Sequence, residues 1–116
     1  MYDSYLNVLK HIADECSFIQ QVIHDKDVKM YQFLEDETLK RAIVRSLEII
    51  GEATKKIPAD VKVKWNSIQW KNMAGMRDRL IHDYMGVNYM IVWDVVQNII
   101  PELGEQINEI INQNEN

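Results

Sequence analysis

Apolar residues recur at steps of three and four along nearly the whole chain, which is the pattern of an α-helix with one buried face. Four long segments carry it, and no segment reads as a strand. The first, from about Asp3 to His24, places Tyr5, Leu9, Ile12, Cys16, Ile19 and Ile23 on one stripe. The second, from about Asp36 to Lys56, carries Leu39, Ala42, Ile43, Leu47, Ile50 and Ala53, and Pro58 closes it. The third is expected from Ser67, as N-cap, to Gly86, as C-terminal glycine. Asn88 can cap the fourth, whose stripe runs from Met90 through Trp93, Val96, Ile100, Leu103 and Ile107 to Ile110. Pro101 should kink that helix without ending it, because the apolar period resumes beyond.

A polar stretch from Asp25 to Lys29 ends the first helix, and a short turn at Met30 to Leu34 is expected to pack Tyr31, Phe33 and Leu34 inward. Short connections make neighbours antiparallel, so the expected architecture is an all-α, up-and-down four-helix bundle with one short additional helix. With 116 residues the chain suffices for one domain, residues 1–116, with a fraying polar tail from about 112 to 116. Gly51, inside the second helix, costs roughly 1 kcal/mol relative to alanine, which a close helix–helix approach would explain. The last helix is apolar over a wide arc, since Val92, Val95 and Ile99 flank its main stripe. A dimer seam and burial between neighbouring helices account for that width equally well.

Composition excludes several classes. No apolar run approaches the roughly 20 residues that span a bilayer, and no signal peptide is evident, so no membrane partner and a cytoplasmic location are expected. The single cysteine, Cys16, rules out an intramolecular disulfide and falls on a core stripe. With three scattered histidines (His11, His24 and His82), no metal site and no cofactor are expected. The net charge is −5, yet residues 54–84 hold seven basic and three acidic side chains. That segment is net +4 and the remainder −9, a distribution able to attract phosphate locally.

The chemistry concentrates at the end of the third segment. Read as one helix, Trp70, Met73, Arg77, Leu80 and Tyr84 form a single stripe, which puts a guanidinium where the face should be buried. Such a charge needs an anionic partner, and Glu52, beside Gly51, is the nearest obvious one. On the same helix Asp78 and His82 would face each other four residues apart, with the carboxylate orienting the imidazole. Guanidinium, imidazole and phenol together suit a phosphodiester: the first for the non-bridging oxygens, the second for proton transfer near neutral pH. RNA brings its own nucleophile, the 2′-hydroxyl. Its cleavage needs one group to take that proton and another to protonate the leaving oxygen, and two copies of the chain would supply two histidines. A buried ion pair with a satisfied helix-end histidine is the competing reading of the same residues.

The run Met76–Tyr84 contains Arg77, His82 and Tyr84 in the R-x-x-x-x-H-x-Y spacing, and it resembles the motif of the HepT-like branch of the HEPN superfamily. Ile49-Ile50-Gly51-Glu52-Ala53 is similar to that family's I-G-E-A segment, and Trp70 to Gly75 to its approach to the motif. Gly86-Val87, Trp93 and Ile100-Pro101-Glu102-Leu103 resemble its closing helix. The position after the arginine, often Asn in the family, is Asp78 here.

The resemblance implies the toxin of a two-gene toxin–antitoxin system of type II or VII character. It implies a metal-independent endoribonuclease, working as a homodimer with the motif lining a cleft between protomers. Arg77 and His82 would be the catalytic pair, with Asp78 and Glu52 in support. Tyr84 would receive AMP from a partner, a minimal nucleotidyltransferase (MNT-type) antitoxin. A helical binding module that docks the nucleotidyltransferase or a nucleotide, without catalysis, is the alternative.

Overall fold

The computed structural model describes residues 2–82 and 86–115. The chain is an all-α, up-and-down four-helix bundle with short accessory helices. Helix α1 (Tyr2–Ile19) buries Leu9, Ile12, Cys16 and Ile19, and runs on as a π-helical turn (Gln20–His24) that keeps Ile23 in the core. The reversal that follows places Asp27 at φ 53°, a left-handed conformation that Asp tolerates better than most residues. Helix α2 (Met30–Glu35) then leads to α3 (Glu37–Thr54), capped by the Asp36 carboxylate, which accepts from the Leu39 N–H at 2.9 Å. After Pro58 comes a short α4 (Ala59–Lys64), absent from the sequence expectation.

Helices α1 and α3 pack against each other, and α8 (Ile100–Glu115) lies along α1. Leu103, Ile107 and Ile110 of α8 join Leu9, Ile12, Ile43, Leu47 and Ile50 in one core. Before α8, α7 (Tyr89–Asn98) is capped as expected by Asn88, whose side chain accepts from the N–H groups of Met90 and Ile91. The α7 helix stops at Asn98 and α8 restarts at Ile100, the bend placed by Pro101. Val92 and Val95 are completely buried within a single chain. Helix α7 sits between α2, α3, α8 and the short helix of residues 76–80, so the width of its apolar arc needs no second copy.

In α2 only Phe33 is fully buried, with its ring 5.3 Å from that of Trp93 and 6.4 Å from that of Tyr89. Tyr31, expected to point inward, is 63% exposed, because a six-residue helix has room for one buried face only. Lys40 is buried beside this cluster, its ammonium 2.6 Å from Glu37 and over the Tyr89 ring. The hydrogen bond from Lys40 holds the Glu37 carboxyl below its ordinary value.

The third segment departs from expectation. Ser67 caps nothing: residues 65–69 form a turn in which the Trp70 indole N–H donates to the Trp65 carbonyl at 3.0 Å. Helix α5 (Trp70–Ala74) breaks at Gly75, α6 (Met76–Leu80) follows, and the helix ends six residues before Gly86. Ile81–His82 (β1) pairs antiparallel with Gly86–Val87 (β2), with Ile81 opposite Val87 and His82 opposite Gly86. The Asn88 N–H closes this small ladder onto the Leu80 carbonyl at 3.0 Å. Gly86 has φ +92°, accessible to glycine at little cost, and it starts the returning strand because the helix has already ended at Leu80.

Candidate active site

Gly51 brings the site's two elements together. A Cβ built there would lie 3.1 Å from the Met73 carbonyl oxygen and 3.5 Å from the Met76 Cβ, so the absent side chain is what lets α5 and α6 lie against α3. The close approach expected from this glycine is therefore present. The break at Gly75 sets which face of α6 meets the core. Trp70, Met73, Met76 and Leu80 form the buried row, and Arg77, Asp78 and Arg79 all lie on the exposed side. The expectation of a buried Arg77 fails by one position, because it assumed an unbroken helix through Gly75.

The Arg77 side chain is 64% exposed, and its Nε lies 3.7 Å from Oε2 of Glu48, itself 25% exposed. The carboxylate expected for it was Glu52, which instead pairs with Lys55 on its own helix at 3.3 Å. A signal for Glu48 was present in the sequence. Once Gly51 marks the helix crossing, a residue three before it lies about 60° around the helix, and the next residue about 100°. A pair with its cation exposed and its carboxylate half-buried, 3.7 Å apart, contributes little stability, on the order of 0–1 kcal/mol. It steadies a guanidinium most of whose surface still faces solvent.

His82 is placed by its backbone in β1, past the end of α6. The helical alignment expected between Asp78 and His82, four residues apart on one face, does not form, because the helix stops at Leu80. From Arg77 the chain rises through three helical steps and two extended ones, about 11 Å in all, against about 7.5 Å for a continuous helix. Tyr84, the expected modification site, lies outside the described residues, as do its neighbours Asp83 and Met85.

Two hollows flank the site, neither foreseen from sequence. A groove of about 240 Å³ between α1 and α3 is lined by Val8, His11, Arg45, Ile49, Glu52, Ala53 and Lys56. A cleft of about 150 Å³ opens on the other side, where α5 and α6 meet the α7–α8 junction; Arg79 and Glu102 both line it. Both depend on how helices meet, which periodicity along one helix does not encode. Among the described residues no helix is long and apolar enough to cross a membrane.

Comparison with known proteins places this arrangement. The family model described as ribonuclease HepT-like matches residues 10–110. A protein of Caldanaerobacter subterraneus subsp. tengcongensis named "Putative RNase" is 48% identical over 103 residues, covering 89% of this chain and 90% of that protein. One of Methanocaldococcus jannaschii with the same kind of name is 42% identical, covering 86% of this chain and 87% of its own length. A "Probable ribonuclease HepT" of Thermococcus cleftensis is 40% identical, over 89% of this chain and 92% of that protein. No solved structure matches the chain. With the family model spanning most of the sequence, and with relatives at this identity aligned over nearly their whole length, the chain belongs to the HepT-like ribonuclease family.

Proposed function

We propose that this protein is a metal-independent endoribonuclease, the toxin of a two-gene toxin–antitoxin system, cutting RNA at a cleft shared by two copies of the chain. The observation that supports it most is the position of Arg77. In a family named for ribonuclease activity, its guanidinium is presented to solvent on α6, steadied by Glu48 and not spent in the core. An exposed guanidinium five residues before a histidine suits the non-bridging oxygens of a phosphodiester.

In the proposed reaction, His82 of one copy takes the proton of the ribose 2′-hydroxyl, and the 2′-oxygen attacks the adjacent phosphorus. The bond from phosphorus to the 5′-oxygen breaks. His82 of the second copy, protonated, gives its proton to that leaving oxygen. The products are a 2′,3′-cyclic phosphate and a 5′-hydroxyl, and Arg77 stabilises the charge on the non-bridging oxygens as it builds. Separate histidines suit this division of labour, since one imidazole cannot take and give a proton in the same step. Asp78, exposed beside Arg77, tunes the local field. Glu52, paired with Lys55 on its own helix, would support the site from beside Gly51.

Transfer of AMP to Tyr84 by an MNT-type nucleotidyltransferase antitoxin would place a phosphate two residues from His82. A bulky anion there would compete with substrate for Arg77 and switch the enzyme off. The pairing of Arg77 with Glu48 also favours a second reading, in which the cation is structural and the protein is a helical docking module for the nucleotidyltransferase. One assay separates the two. Purified protein free of AMP is incubated with mixed RNA and excess EDTA, beside a His82→Ala variant of unchanged helical content. Cutting by the wild type alone supports the ribonuclease. Cutting by both proteins removes His82 from the chemistry, and cutting by neither leaves the docking module.

A further inference from the structure

We propose that the cleft where α5 and α6 meet the α7–α8 junction is a guanine-binding subsite for the RNA strand, a reading that rests on the ribonuclease proposal above. Arg79 and Asn72 line it from the α5–α6 arm, and Glu102 and Gln106 from α8. Buried Met76 and Leu103 supply an apolar lining. The telling feature is the charge pair. Arg79 and Glu102 share one cleft of about 150 Å³ yet form no ion pair within 4 Å, and among the described residues neither has another ion-pair partner. Among the described residues, opposite charges that face one hollow without closing on each other leave hydrogen-bonding positions for a ligand.

Those positions are complementary in kind. An ionised carboxylate only accepts and a guanidinium only donates. Guanine presents two adjacent donors, N1–H and N2–H₂, that a carboxylate can take together, and two adjacent acceptors, O6 and N7, that match a guanidinium fork. The other bases fit worse. Adenine and cytosine each set a ring-nitrogen lone pair beside their amino group, and uracil flanks its one donor with two carbonyls. Any of the three would therefore turn an acceptor toward the Glu102 oxygens. The side-chain amides of Asn72 and Gln106 can donate or accept at the rim.

Position supports the assignment as well as chemistry. Arg79 is three residues before His82, so their Cα atoms are at most about 11 Å apart. A base seated in the cleft is therefore within reach of the strand that His82 would act on. Arg77 and Arg79 then divide the work: the first faces α3 and serves the phosphate, and the second faces α8 and reads the base.

The test is a titration of the isotopically labelled full chain with GMP, AMP, CMP and UMP, followed by nuclear magnetic resonance. The expected result is GMP binding at least about tenfold tighter than the other three, with shifts in the side-chain amide signals of Asn72 and Gln106. Glu102→Gln should lower GMP affinity about tenfold and tighten the other three nucleotides, since an amide can donate to the acceptor they turn toward it; Asn72→Ala should give a smaller loss of GMP affinity. Both positions are exposed, so the variants keep the fold. Equal affinity for the four nucleotides, shifts confined to another face, or a GMP preference that survives Glu102→Gln would each overturn the subsite. The two proposals fail separately. GMP preference without RNA cleavage defeats the ribonuclease and keeps the guanine site, and EDTA-resistant cleavage without GMP preference does the reverse.

Discussion

Helices α1, α3 and α8 run 16 to 18 residues each and bury continuous apolar stripes, while the 18 residues from Trp70 to Val87 break into two five-residue helices and a strand pair. The first region converts repetition into stability: each turn adds a buried side chain and its own hydrogen bonds. The second gives up main-chain regularity. In exchange, one short helix presents Arg77, Asp78 and Arg79 to solvent in succession while Met76 and Leu80 anchor it. A long amphipathic helix would have hidden or scattered these groups. The lesson is a division of labour, with the broken segment presenting the groups proposed for catalysis and the long helices holding it in place through Gly51.

Substitutions can break that comparison. The largest effect is expected for Leu47→Ala in α3, where a fully buried side chain leaves a cavity costing about 2–5 kcal/mol. Denaturant midpoints should show it, beside an Arg77→Ala protein that moves by no more than about 0.5 kcal/mol while losing RNA cleavage. If Arg77→Ala destabilised as much as Leu47→Ala, the division of labour would be wrong.

Gly51→Leu tests the joint between the regions. With a Cβ already 3.1 Å from a backbone carbonyl, the larger side chain must push α5 away, at about 3 kcal/mol, and cleavage should fall with it. Cleavage unchanged by this shift would mean that the site does not depend on the α3 contact.

Cys16 offers a pH test of the long-helix region. Burial, with a lesser contribution from Glu15, pushes its thiol from 9.0 up to about 12. Between those values the unfolded thiol ionises and the folded one does not, so the unfolded state binds fewer protons. Its contribution is thus fully present below pH 9 and declines by about 1.4 kcal/mol per pH unit toward pH 12. Unfolding curves for the wild type and Cys16→Ala, compared across this range, should converge as pH rises. A constant gap would show that the thiol is not held in the core.

Smaller effects follow. Asn88→Ala removes the cap of α7, at about 1 kcal/mol in thermal or chemical unfolding. Glu48→Gln should change stability by less than about 0.5 kcal/mol, because the pair is long and its guanidinium faces solvent, yet it should alter the salt dependence of RNA binding by freeing Arg77. No change in RNA binding would place this ion pair outside the site.

What the sequence determined by itself is the repetitive part. Stripes such as Leu9–Ile12–Cys16–Ile19 and Ile43–Leu47–Ile50 can be buried only as helices, the caps at Asp36 and Asn88 are local chemistry, and Gly51 reports a close crossing wherever its partner lies. The spacing of Arg77 and His82 was legible too, and with it the family. Tertiary structure decided the rest. A five-residue helix costs too much to nucleate to be held by its own periodicity, so the contact with α3 and the pairing of Ile81 with Val87 set where α6 stops. Those contacts turned Arg77 outward, chose Glu48 over Glu52 as its partner, took His82 off the helix, and opened between Arg79 and Glu102 a cleft that no single segment encodes.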